Sequence, residues 1–300
     1  MRSLLLLVLF FAAAVSLGQN GAKAVAAKAL QAEALPCDTD AAQGTGCHAN
    51  YPAGCGLPRD PNNNSKFLEP DLSFQPHYDP YLAYLKNQIP KVLPTSQGLL
   101  TRADFVAKYH AALQTNTKIT QFNHADVSDE MLALGEAQYY AVIGYLYYSQ
   151  VSAGGEACNC DIQNDDPSDD YHIGIGFDSQ LAKVANAATK DQKKQLQKAS
   201  IIVEMTPHYR AKYHKGKWTN TLLQSILGRQ VKVVGQLLLD NDHMGANAVC
   251  GGSNSSADDK SNCWRLSPWE LHPVTEFYVC KAASCAENSS NWIPLDKGKF

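Results

Sequence analysis

The stretch WELHPVTEFYV, residues 269–279, alternates in a way that only an extended strand satisfies. Successive side chains of a strand point to opposite faces, so period-two patterning separates a core side from its reverse. Trp269, Leu271, Thr275, Phe277 and Val279 fall on one side, and Glu270, His272, Glu276 and Tyr278 fall on the other. Four more stretches read as strands: AQYYAVIGYLYYSQV (137–151), YHIGIGFD (171–178), IIVEMTP (201–207) and QVKVVGQLLLD (230–240). In the second and third, Tyr171, Ile173, Ile175 and Phe177, then Ile201, Val203 and Met205, take the core side. TNTLLQSILG (219–228) reads as a short helix closed by Gly228. The order β–β–β–α–β–β is that of a five-stranded OB-like Greek-key barrel, with an open α+β sheet as the alternative. In such a barrel the strands neighbour one another in the order 1-2-3-5-4.

The remainder of the chain divides by composition. Residues 1–29 carry one arginine, an apolar run from Leu4 to Leu17 and a small-residue stretch, which is the pattern of a secretory signal peptide. The run is too short for a membrane anchor, so the expected location is secreted or periplasmic. Residues 30–95 form a Cys/Pro/Gly-rich arm with a short helix at DPYLAYLKNQI. Residues 96–136 form a helical segment, with Thr101 placed ahead of an apolar-spaced run. The barrel takes 137–285 and leaves 286–300 as a tail. Nine cysteines in an exported chain predict disulfides, one thiol being left over if all the others pair. Local spacing suits Cys250–Cys263 and Cys280–Cys285, while Cys37, Cys47 and Cys55 form an N-terminal group. Cys158 and Cys160 fit either a disulfide or metal ligation. Sequons stand at Asn63, Asn254 and Asn288.

Opposite the core side, the strands offer Asp170 and His172, then Glu204 and Thr206, then Lys232, Gln236 and Asp240, then Glu270 and His272. Antiparallel pairing of strands two and three brings Asp170 and His172 to the end of strand three at Glu204. Pairing of strands four and five brings Asp240 and His243 to Glu270 and His272. Carboxylates with imidazoles suit a divalent metal ion, and a Glu beside a His suits general acid–base work. Asp170, His172, Asp240 and His243 are therefore the expected metal ligands, and Glu204, Glu270 and His272 the expected catalytic groups of a hydrolase. The plainer alternative is a polar face turned to solvent.

PHYRAKYHKGKW (207–218) interleaves Arg210, Lys212, Lys215 and Lys217 with Tyr209, Tyr213 and Trp218. Basic residues attract phosphates and aromatics stack bases, so Arg210 and Trp218 are the expected contacts to nucleic acid or another polyanion. Arg265 would steady negative charge at the site. A net charge of −3 argues against a protein-wide nucleic-acid-binding field. Walker-type loops, HExxH helices and GxSxG elbows are missing from the sequence.

Several of these residues recur as a pattern: Glu156-Ala-Cys-Asn-Cys160, Asp170-Tyr-His172-Ile173, Val203-Glu204-Met-Thr-Pro207 with Arg210, Val233-Val-Gly235 through Asp240 and His243, and Trp269-Glu-Leu-His-Pro-Val-Thr275. Over residues 137–280 the chain resembles a loose group of secreted bacterial proteins of unknown function with a DxHI…VExTP…DxxH…WE[IL]HPVT pattern. The resemblance implies no activity, but it marks the residues that strand alternation selects. Three functions follow as expectations: a metal-dependent hydrolase acting on phosphodiesters; a non-catalytic OB-type module binding nucleic acid, oligosaccharide or an envelope partner; and a disulfide-stabilised structural protein.

Overall fold

The computed structural model describes residues 59–60, 63–67, 82, 85–86, 95–121, 123–152, 169–214, 216–245, 248–251 and 262–300. The signal peptide, the Cys37/Cys47/Cys55 group, Cys158 and Cys160, and the sequon at Asn254 lie outside them. A short antiparallel pair joins Arg59–Asp60 to Asn63–Phe67.

The protein is mainly β with helices around the sheet. Its strands are β1 (Tyr139–Val151), β2 (Tyr171–Gly176), β3 (Ser200–Met205), β4 (Gln230–Leu239), β5 (Trp269–Cys280) and β6 (Trp292–Pro294). They are hydrogen-bonded in the order β3-β2-β1-β4-β5-β6, and a parallel contact at Val203 and Leu271 joins β3 to β5. The first five strands therefore form a ring. Val142, Leu146, Ile173, Val203, Val233, Leu271 and Phe277 point into one apolar core enclosed by it.

Helix α1 (Arg102–Ala112) starts at Thr101, whose hydroxyl and the Asp104 carboxylate form a capping box. With α2 (His124–Ala133) it occupies the helical segment expected at 96–136. Helix α3 (Ser179–Ala182) and helix α4 (Lys190–Lys198) fill the β2–β3 connection, where alternation gave no element. The reason lies in α4 itself: in KDQKKQLQK only Leu196 is apolar and buried, so no stripe marks the helix, and its start is fixed by the Thr189–Gln192 capping box. Helix α5 (Asn220–Ser225) lies between β3 and β4 as expected.

Two expectations need correction. Residues 286–300 are not a loose tail, because β6 pairs with β5 through Val279 and Ile293. The strict alternation of β5 also fails. Val234 pairs with Glu276 but Gly235 pairs with Val274, which leaves Thr275 as an extra residue and turns Val274 into the core. One step on, Gly235 to Leu237 spans Val274 to Leu271, so Gln236 faces both His272 and Pro273. These are β-bulges, which re-aim side chains at the cost of a ladder bond.

Both short-range disulfides are present, Cys250–Cys263 and Cys280–Cys285, which suits an oxidising compartment. Among the described residues no helix is long and apolar enough to cross a membrane.

Candidate metal centre

The polar face of β2, β3 and β5 is buried. Asp170, Glu204, Glu270, His272 and Arg265 are at most 1% exposed, and His172 is 9% exposed. The solvated-face alternative is excluded for these residues. From the N-terminal arm, Leu82 and Leu85 pack on Leu238, and the Leu85 carbonyl accepts a hydrogen bond from Gln236 Nε2 at 3.1 Å. Lys86 is thereby carried into the polar face, only 2% exposed.

Strand register builds the cluster. His172 stands directly across from Glu204 in the β2–β3 ladder, and the parallel β3–β5 contact sets Glu204 beside His272. His272 Nδ1 lies 2.8 Å from Glu204 Oε2 and 3.2 Å from Glu270 Oε1, while its Nε2 lies 3.3 Å from Asp170 Oδ2. His172 Nε2 lies 2.9 Å from Glu204 Oε1 and 3.3 Å from Ser152 Oγ. Asp170 Oδ1 accepts the Tyr171 N–H at 2.8 Å. Ligand atoms of Asp170, Glu204 and His272 all fall within 4.8 Å of one another, so this trio could hold a metal ion.

A second charged group adjoins the first through Glu270. Arg265 Nη1 lies 2.9 Å from Asp240 Oδ2 and 3.5 Å from Glu270 Oε2, and His243 Nδ1 lies 2.6 Å from Asp240 Oδ2. The Cys250–Cys263 disulfide fixes the loop that carries Arg265, whose carbonyl accepts the Cys250 N–H at 2.7 Å.

The electrostatics follow from packing four carboxylates out of water. Burial, reinforced by the Glu204 charge, pushes the Asp170 carboxyl up to about 7 against the pull of His272. Burial and the charges of Glu204 and Asp240 likewise raise Glu270. Glu204 goes the other way: burial opposes its charge, but His172, His272 and Lys86 together hold it well below the usual range. Asp240 is held low, against burial, by His243, Lys86 and Arg265. His272 is raised to about 10, because Glu204 and Asp170 outweigh the burial that disfavours its charge.

Of the residues expected from sequence, Asp170, His172, Glu204, Glu270 and His272 meet, with Asp240, His243 and Arg265 adjoining. The division of labour differs: of the four expected ligands only Asp170 falls in the metal-competent trio, Glu204 and His272 complete it, and His172, Asp240 and His243 stand outside it. The 207–218 stretch is placed elsewhere. Trp218 is 2% exposed and stacks on His214 with ring centroids 3.4 Å apart. Arg210 lies across the Tyr171 ring at 3.5 Å, and its Nε donates to the Met205 carbonyl. An aromatic and a guanidinium buried in this way staple the fold and have no free face for a base or phosphate. Lys232 sits over the Tyr278 ring, away from the cluster, and Thr206 is buried just past the end of β3.

Sequence reasoning missed Lys86 and Ser152. It also missed a separate buried network in which His124 Nε2 lies 2.9 Å from Glu136 Oε1 and His124 Nδ1 lies 3.1 Å from Asn241 Oδ1. None of these had a local signal, because each is brought in from a segment without strand alternation. Compared with known proteins, the chain matches no family model, no curated protein and no solved structure.

Proposed function

We propose that this chain is an exported metal-dependent hydrolase of phosphodiesters built on an OB-like barrel. The observation that carries the reading is the convergence of Asp170, Glu204 and His272 ligand atoms within 4.8 Å, inside a shell of buried charge. Two carboxylates and an imidazole suit a divalent cation of the manganese-to-zinc range. The ring order 1-2-3-5-4, with a helix between the third and fourth strands, supports the barrel. The two disulfides support export.

When bound, a divalent ion would polarise a phosphoryl oxygen and acidify a water. The chain's own residues do the rest. Glu270 contacts His272 Nδ1 and orients the imidazole, as outer carboxylates do for ligating histidines. His172, with its side chain 11% exposed, is the member of the group nearest solvent and is placed to exchange a proton with an incoming substrate. Arg265, buried 3.5 Å from Glu270 and 2.9 Å from Asp240, balances the charge of these carboxylates and holds Glu270 in place.

The test is metal analysis and hydrolysis of bis(p-nitrophenyl) phosphate by the mature protein loaded with manganese, zinc or calcium. Glu204→Gln should remain folded, lose the metal and lose activity together. A wild-type protein that holds none of the three ions and cleaves no ester removes the proposal. A variant that keeps both metal and rate removes the assigned ligands.

A further inference from the structure

The β1–α4 surface carries a feature that the metal centre does not use. Leu146 pairs with Ile175 but Tyr148 pairs with Gly174, so Tyr147 is an extra residue in β1. This bulge turns Tyr147 and Tyr148 to the same outer face. There both tyrosines pack with Ala182, Ala185 and Leu196 of the β2–β3 connection. Two glycines make room for them: a Cβ at Gly174 would meet the Tyr148 ring at 2.1 Å, and one at Gly176 would meet the Tyr147 ring at 1.8 Å. The result is a cleft of about 280 Å³ lined by Tyr147, Tyr148, Gln150, Lys193, Gln197 and Gln224, at the small end of ligand pockets.

Charge and direction give the cleft its character. Residues 178–199 hold five lysines (183, 190, 193, 194 and 198) against two aspartates (178 and 191), in a protein of net charge −3. Lys183, Lys190, Lys193 and Lys194 are exposed. Asp191 sits in the first turn of α4, and Asp178 caps α3 by accepting the Gln180 N–H, so both acids serve helix starts. Tyr148 is half-buried along the cleft. Its ring lies over Gly174 on the wall of the cleft, and Lys193 lines the same cleft.

We propose that the cleft between β1 and α4 is a binding track for single-stranded nucleic acid, with Lys193 of its lining and Lys194, exposed beyond it on α4, on the phosphates and the Tyr148 ring under a base. A basic groove with an aromatic floor is the arrangement that single strands require, because every base has a stackable face and every linkage a charge. As a route for substrate the track rests on the hydrolase reading, and it names single-stranded polynucleotide as the substrate.

Fluorescence anisotropy with a fluorescein-labelled thymidine homopolymer of about 12 nucleotides tests it, in EDTA so that binding is read without metal. The wild type should bind at about 50 mM salt and weaken as salt rises to about 200 mM. Lys193→Glu/Lys194→Glu should weaken binding at least tenfold and flatten the log–log salt slope by roughly 1.4, at about 0.7 for each phosphate no longer neutralised. Tyr148→Leu should weaken binding at least about fivefold with the slope unchanged. Lys118→Glu, on a separate cleft lined by Ala112, Ile119 and Asn241, should bind as wild type does. Failure of the wild type to bind overturns the track, as does equal binding by the Lys193/Lys194 variant. Binding to anionic vesicles in place of the oligonucleotide also overturns it. Metal analysis on the same preparations distinguishes that failure from failure of the metal centre: a protein that binds metal but no oligonucleotide keeps the centre and loses the track.

Discussion

Asp170→Asn separates the charge repulsion in the cluster from its capacity to hold a cation. Asp170 is fully buried, and burial with the Glu204 charge raises its carboxyl from 3.8 to about 7. The sign of the consequence is fixed by linkage. A carboxyl whose folded pKa is raised loses its proton first in the unfolded chain, so stability falls as pH climbs from the lower value to the higher. At about 1.4 kcal/mol per pH unit, the rise from 3.8 to about 7 is a deficit of the order of 4 kcal/mol at pH 8. Asparagine keeps the acceptor for the Tyr171 N–H and removes the charge. His272 Nε2, 3.3 Å from Asp170 Oδ2, loses an ionic partner in exchange. The net expectation in EDTA at pH 8 is a variant more stable than wild type by roughly 1–3 kcal/mol. A divalent cation should offset most or all of that advantage. At a free concentration about 100 times Kd it adds about 2.7 kcal/mol to a protein that binds it. For a domain of this size that is a rise of roughly 5–11 °C in Tm, and the variant should not share it. Thermal unfolding with EDTA or with manganese or zinc reads both effects. The reasoning fails if Asp170→Asn is the less stable protein in EDTA, or if both proteins gain equally from metal.

Four other substitutions probe the supports around the site. His124→Ala should cost about 3–5 kcal/mol in urea unfolding, because it leaves the Glu136 carboxylate, itself 0% exposed, with the Leu239 N–H at 2.9 Å as its one remaining partner among the described residues; a cost under about 1 kcal/mol would contradict that. Cys250→Ser/Cys263→Ser opens a 13-residue loop and should cost about 2–4 kcal/mol. It should also weaken any activity that depends on Arg265, and a variant with full activity would show that the loop holds Arg265 without the bridge. Gly174→Ala drives a methyl into the Tyr148 ring and should cost about 1–3 kcal/mol, with oligonucleotide affinity falling in parallel; unchanged affinity would detach Tyr148 from binding. His214 is held below its ordinary pKa by burial, with Asp296 opposing. The unfolded chain therefore takes up its proton first as pH drops, and stability should fall as pH descends through about 6.5, the ordinary imidazole value, toward the lower folded one. His214→Gln should flatten that fall in a pH series of unfolding midpoints.

Strand alternation located the acid and imidazole positions because it needs only the chain's own period. Asp170, His172, Glu204, Glu270 and His272 all lie opposite core residues, and the strands that hold them pair with one another around the ring. Alternation says which face is opposite the core and nothing about what lies over that face. The cover comes from Leu82, Leu85 and Lys86, more than 80 residues before Asp170 in the chain, and from the disulfide-held loop at Arg265. Neither has a period that points to its destination. The same blindness misplaced the aromatic–basic surface. In PHYRAKYHKGKW the interleaving suggested a binding loop, but Trp218 and Arg210 are spent inside the fold. Its Lys212, Tyr213 and Lys217 stay exposed, and a second set of exposed lysines belongs to KDQKKQLQK, whose single apolar residue left no stripe to find.

The two sets of bulges gather the charged cluster and the tyrosine pair on the outer side of the ring. An unbroken β1 would send Tyr147 and Tyr148 to opposite faces, and one of them would enter the core already filled by Leu146 and Ile175. An unbroken β5 would pair its residues one-to-one with β4 and would not set both His272 and Pro273 against Gln236. As built, the His272 carbonyl accepts from Gln236 Nε2 at 3.2 Å, which pins the backbone of the residue whose ring holds Glu204, Glu270 and Asp170 together. Gln236 also ties that backbone to Leu85, so the segment that carries Lys86 is fastened to the strand that carries His272. Gln236→Ala removes both ties at once. It should loosen the cover and the imidazole together, and a loss of metal affinity with the sheet still folded would show that the bulge and its glutamine hold the centre in place.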